Sequence, residues 1–225
     1  LKKVHYAHSG GYTELGGMRD FLSKINSGVL YERIFPAVSK PRKIKHRNSG
    51  VTGKSLFARL LEKLERKKLD GEQVSVLVVV DDTDCRLSDE VARERFLRSV
   101  REFERRATEI YSNLRIIFIW AEPEVEKWFC LDKGSCFRNK PCGDKDLHRK
   151  LSELLESFDY DYNPDRDSCT EKFSKKFATV LQECGVLYGY SKRNDGSLYL
   201  KKVNPSVIES EDKFAAKGIK ELKNL

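Results

Sequence analysis

The sequence predicts an α/β fold, a parallel sheet with helices on both faces, followed by a mostly helical C-terminal extension. Two observations carry that prediction. Runs with strand character alternate with stretches of helical periodicity through the first two-thirds of the chain. The best strand run, in SVLVVVDDTDCR (75–86), is apolar throughout, the pattern of a strand covered on both faces. A third observation, acids just past successive strands, marks where such a sheet carries its chemistry, since ligands bind beyond the carboxyl ends of parallel strands.

The elements follow in order. Lys3 to Ala7 reads as a short strand. Tyr12 to Ile25 sets Leu15, Met18, Phe21, Leu22 and Ile25 on one helical face. Val29 to Phe35 is a second strand closed by Pro36. Residues 40–53, rich in Lys, Arg, Gly and Ser, read as a loop. Lys54 to Lys68 is an amphipathic helix through Leu56, Leu60, Leu61 and Leu64, stopping near Gly71. Val74 to Val80 is the clearest strand. A long helix from Ser88 to Tyr111 takes Ser88 as its N-cap and Glu90 in its first turn. Leu114 to Trp120 is the fourth strand, and Pro123 is expected to open a short helix. Trp120, Trp128 and Phe129 are expected in the core.

The last third changes character. Residues 134–143 read as a polar loop, Leu147–Phe158 and Glu171–Leu181 as helices, and 159–168 as a loop between them. Ser197–Val203 reads as a strand and Glu209–Leu222 as a final helix. The expected division is a domain at 1–135 and an extension at 136–225. There is no internal repeat.

Composition narrows the class. The chain has 225 residues, 39% hydrophobic and 35% charged, enough for one large domain with a sizeable core. No apolar run approaches the roughly 18–20 residues that cross a bilayer, and no membrane partner is expected. The opening LKKVHYAHSGG is too polar for a secretory signal, so the expected location is the cytoplasm. The net charge of +8 favours a polyanionic partner, although a basic solvated surface satisfies it as well. Six cysteines are expected as thiols. Cys130, Cys136, Cys142 and His148 are evenly spaced and lack the tight pairs of a zinc site.

The acids carry the chemistry. Asp82 and Asp84 flank Thr83 at a strand end, where two carboxylates near one edge need a cation. Mg²⁺ suits them, because it takes one or two carboxylates together with water and phosphate oxygens. An acidic helix cap is the alternative. Glu14 starts a helix above the first strand, and Glu122, Glu124, Glu126 and Asp132 follow the fourth. In a parallel sheet these three groups converge.

GGYTE (10–14), DTD (82–84) and EVEKWF (124–129) resemble, in this order and strand context, the motifs of the Toprim fold. That fold occurs in topoisomerases, primases and overcoming-lysogenization-defect nucleases. The nearest likeness is to small Toprim-like proteins of phage-defence loci, often encoded beside an ABC-type ATPase. The resemblance spans about residues 1–135. It implies a Toprim-like parallel-sheet core and a Mg²⁺- or Mn²⁺-dependent nuclease acting on DNA or RNA, including tRNA, with an ATPase partner. It assigns metal binding to Asp82 and Asp84, a ligand or acid/base role to Glu14, and a further catalytic acid to Glu126. Asp81 and Glu124 are their neighbours. Gly10 stands where the family carries its first acid. That departure keeps open a non-catalytic binding or assembly module.

Basic side chains would hold the polyanion. The segment KPRKIKHRNSGVTGK (40–54) offers Lys43, Lys45, Arg47 and Lys54, with a solvated basic loop as the alternative. Arg93, Arg98, Arg101 and Arg105 read as a charged outer face paired with Glu94, Glu102 and Glu104. NSGVTGKS (48–55) ends like a nucleotide-binding P-loop. Its first position is Asn48, and no apolar strand precedes it to aim the amides. A receiver-like phosphoryl-transfer domain would need a later lysine at a strand end, and none is clear.

Overall fold

The computed structural model describes residues 2–9, 11–36, 51–138, 144–186 and 190–225. Strands β1 (Lys2–His8), β2 (Val29–Phe35), β3 (Val76–Asp82) and β4 (Arg115–Ala121) form one sheet in the order β2-β1-β3-β4, parallel at every pairing. Helices α1 (Tyr12–Ile25), α2 (Gly53–Leu69) and α3 (Glu90–Ile110) connect them. The period of two along each strand builds two cores. Val4, Tyr6, Val78, Val80, Ile117 and Ile119 face α1 residues such as Phe21 and Leu22. Ala7, Leu77 and Val79 face Leu56, Leu60 and Leu64 of α2 and Phe96 and Phe103 of α3. Trp128 and Phe129 are buried, and Trp120 is partly buried against the second core, stacked on Phe118.

Beyond β4 the chain is largely helical. It contains α4 (Glu126–Leu131), α5 (Lys133–Cys136), α6 (Asp144–Ser157) and a two-residue hairpin of β5 (Tyr162–Asn163) and β6 (Ser168–Cys169). Then come α7 (Phe173–Glu183), a π-helical turn at Lys192–Gly196, α8 (Ser197–Lys202), α9 (Pro205–Glu211) and α10 (Lys213–Lys223). This region shares the α1-side core: Phe177, Tyr199, Leu200, Ile219 and Leu222 join the same apolar cluster as Val4 and Ile117. Gly218 permits the closest approach among the described residues, since a Cβ there would collide with Phe118 O of β4.

Several elements differ from expectation, each for a local reason. Residues 197–203 form a helix ending at Lys202, not a strand: Tyr199, Leu200 and Val203 are all buried, a spacing that fits one helical face. The final helix is two helices. They break at Asp212, whose buried carboxylate caps α10 by accepting from Phe214 N (3.0 Å) and also accepts from Trp128 Nε1 (3.0 Å). Asp89, not Ser88, caps α3 by accepting from Ala92 N at 2.7 Å, and Ser88 donates to Glu122 instead. Pro123 does not open a helix. Thr83 N and Asp84 N bind Ala121 O and Pro123 O, both at 2.9 Å, which ties this stretch to the end of β3, and α4 starts at Glu126. The expected loop at 134–143 begins as the helical turn α5, and the expected loop at 159–168 contains β5 and the start of β6.

Cysteine chemistry also departs from expectation. Cys85 and Cys169 form a disulfide, because the β5–β6 hairpin returns over the turn after β3. Cys130, Cys136 and Cys184 are free and buried, while Cys142 lies outside the described residues. No helix among the described residues is long and apolar enough to cross a membrane.

Candidate functional site

The site forms where β1 and β3 end and α4 begins. Glu14 is in the first turn of α1, and its carboxylate folds back over Gly11 while Ser9 Oγ donates to Oε1 (3.3 Å). Gly10 lies outside the described residues. At the end of β3 the strand alternation separates two neighbours. Asp82 turns to the α1 side, where Oδ1 accepts from Val125 N at 2.9 Å. Asp81 turns to the α2 side, where Oδ2 accepts from Gly53 N at 2.8 Å. Gly53, at φ +54°, holds a conformation that suits glycine and opens α2 with its N–H toward that carboxylate.

Glu126 is fully buried. Its Oε1 accepts from Tyr190 OH (3.0 Å) and Thr13 Oγ1 (3.2 Å), and Lys192 Nζ lies 3.3 Å away. Its Oε2 has no hydrogen-bond partner. Glu124 accepts from Ser174 N at 2.7 Å and lies 3.8 Å from Lys192 Nζ. Among the described residues, Glu14, Asp82, Glu124 and Glu126 thus share one ammonium.

Their protonation reflects that imbalance. Burial, then the charge of Glu126, pushes Glu14 up to about 7. Burial, then Glu14 and Glu126, holds Asp82 well above the ordinary carboxylate range. Burial raises Glu126, with Lys192 opposing. Burial alone would lower Lys192, but Glu126, Glu124, Asp82 and Glu14 outweigh it and leave the ammonium raised.

Asp84 does not join this group. At φ +51° the backbone turns, and its carboxylate pairs with Lys172, accepts from Thr52 Oγ1 (3.2 Å) and lies 3.7 Å from Arg86. Arg86 in turn binds Asp167 at 2.9 Å. The two acids of the D-x-D motif therefore serve opposite sides of β3. Asp81 belongs with Asp84: burial pushes it up to about 8, against the pull of Gly53 N–H and Arg86.

Lys43, Lys45 and Arg47 lie outside the described residues. Lys54 is exposed in the first turn of α2. With Arg98 and Arg106 it rims a groove of about 290 Å³ floored by Phe57, Leu61 and Phe103. On α3, Arg105 pairs with Glu102 and Glu109, and no ion pair among the described residues holds Arg93, Arg98 or Arg101. The sequence reading missed Thr13, Ser174, Tyr190 and Lys192. No motif surrounds the last two, and only the packing of α8 on α1 brings them in.

Among the described residues, one group of three metal-capable side chains has all its ligand atoms within 4.8 Å: His5, Glu32 and Glu72. Glu14, Asp82 and Glu126 are spaced more widely. No protein-family model, curated protein or solved structure matches the chain.

Proposed function

We propose that this chain is a Toprim-type nuclease that cleaves phosphodiesters of DNA or RNA with Mg²⁺ or Mn²⁺. The observation that carries the reading is the under-compensated cluster of Glu14, Asp82, Glu124 and Glu126, with the buried Glu126 Oε2 unpartnered beside the one ammonium that the described residues supply. All-oxygen donors suit a hard divalent ion, and the wide spacing suits Mg²⁺, which keeps several waters. Glu14, Asp82 and Glu126 would hold it. Such an ion supplies Lewis-acid stabilisation of charge on a phosphoryl oxygen.

The chain's own groups do the rest. Glu14, pushed up to about 7 before any ion binds, would either stay on the ion or accept a proton from the attacking water. Val125 N–H orients Asp82, and Thr13 and Tyr190 orient Glu126. Lys192 stabilises negative charge at the same point, and Lys54 helps to hold the backbone. The motif order GGYTE, DTD, EVEKWF extends the proposal to anti-phage defence beside an ABC-type ATPase.

One observation favours a second reading, a binding or assembly module. Lys192 already neutralises part of the cluster from 3.3 Å.

The test is cleavage of labelled DNA, RNA and tRNA by the purified chain with Mg²⁺, Mn²⁺ or EDTA, alongside Asp82→Asn and Glu14→Gln. Metal-dependent cleavage lost in both variants is the expected result. A chain that neither cleaves any of these substrates nor binds either ion by calorimetry would overturn the nuclease in favour of the module.

A further inference from the structure

A second cation site lies in the α2-side layer, away from the strand ends. The parallel register of β1 and β2 sets His5 across from Glu32. The connection from α2 to β3 brings Glu72 beside them, steadied by Tyr111 OH donating to Glu72 O at 2.8 Å. His5 points into this pair, its Nε2 3.7 Å from Glu32 Oε1.

The imidazole is the telling group. Its side chain is 2% exposed, and neither ring nitrogen has a hydrogen-bond partner. A neutral imidazole carries one donor and one acceptor, and buried polar atoms are rarely left unpaired. A cation beside Nε2 would use the acceptor. The carboxylates are 37% and 44% exposed, so an ion can reach them from solvent. Lys67 Nζ now bridges them, 3.0 Å from Glu32 and 2.5 Å from Glu72, and Lys3 holds Glu32 from the other side at 2.8 Å. An ammonium therefore sits between two carboxylates that also face an unpartnered imidazole.

We propose that His5, Glu32 and Glu72 bind one divalent transition cation of the Mn²⁺, Co²⁺ or Zn²⁺ class, with Lys67 swinging out. One nitrogen and two carboxylates select such ions over Mg²⁺, which prefers all-oxygen sites. The ion would clip β1, β2 and the α2–β3 connection together, and its binding is independent of the nuclease reading.

The test is titration of the full chain with Co²⁺ in excess Mg²⁺, followed by visible absorption. The comparison proteins are a Glu32→Gln/Glu72→Gln double variant, Lys67→Met, and Asp82→Asn. The expected result is a Co²⁺ band in the wild type and in Asp82→Asn, affinity at least about tenfold weaker in the double variant, and tighter binding in Lys67→Met. Both glutamates are partly exposed, so the double variant should fold, and circular dichroism checks it. Imidazole ¹⁵N shifts of the wild type with Zn²⁺ report His5 directly. Absence of a band, a band unchanged in the double variant, or a His5 signal unmoved by Zn²⁺ would each overturn the site.

Discussion

The two sides of the β3 terminus start from the same residue type and end in different electrostatic states. On the α2 side, Asp81 and Asp84 meet Gly53 N–H, Arg86 and Lys172, and Asp81 is raised by burial, with Gly53 N–H and Arg86 pulling it down ahead of the smaller upward push from Asp84 and Glu14. On the α1 side burial is again the largest cause, but Glu126 adds to the rise of Glu14, Glu14 and Glu126 add to that of Asp82, and Lys192 is the ammonium among the described residues that opposes them. A shift caused by desolvation is a packing cost. A shift caused by like charges is relieved by a cation. The second kind marks a place where a ligand has something to do.

The largest expected effect is on the neutralised side. Arg86→Ala leaves Asp84 and Asp167 without their guanidinium and should cost about 3–5 kcal/mol, read from urea midpoints. An equal loss from Lys192→Ala would erase the contrast between the sides.

Next is activity. Asp82→Asn should lower metal-dependent cleavage by on the order of 10²–10³-fold. Asp84→Asn should lower it less than about tenfold while reducing stability. Similar kinetic losses in both would return Asp84 to the catalytic group.

A smaller effect is pH dependence. Glu14 has a folded pKa of about 7 against an ordinary 4.5, so the folded state binds the extra proton between those values. Its contribution to stability is full below about pH 4.5 and falls as pH rises through 7, by about 1–3 kcal/mol. Glu14→Gln should remove that part of the decline, and Mg²⁺ should offset it in the wild type. The part due to Asp81, which runs up to about pH 8, should survive both treatments. Thermal melts from pH 4 to 9 resolve the two. The smallest effect is Lys54→Ala, which should weaken nucleic-acid binding severalfold and flatten its salt dependence by about one phosphate contact.

How much of this was legible follows from the range of the forces involved. Tyr12–Ile25 and Val29–Phe35 match the sequence reading end for end, because local periodicity decides them. Val74 is buried but precedes β3, a boundary that apolarity alone cannot locate. The acids at three strand ends were readable. That Asp82 and Asp84 part company was not, since it depends on left-handed backbone at Asp84 and Cys85. The Cys85–Cys169 bridge spans 84 residues, and spacing does not reveal pairing over such a distance. Lys192 and Tyr190 reach the site only through tertiary packing of the C-terminal region on α1.

That packing sets an order of events during synthesis. Tyr190 follows Glu126 by 64 residues, and Lys192 comes just after it. At translation speeds of about 5–20 residues per second, the acids emerge seconds before their ammonium. A chain halted ahead of Tyr190 holds Glu14, Asp82 and Glu126 without the ammonium that stands 3.3 Å from Glu126 in the folded protein. Until that lysine emerges, protons and cations from solution balance the charge that Lys192 meets in the folded chain.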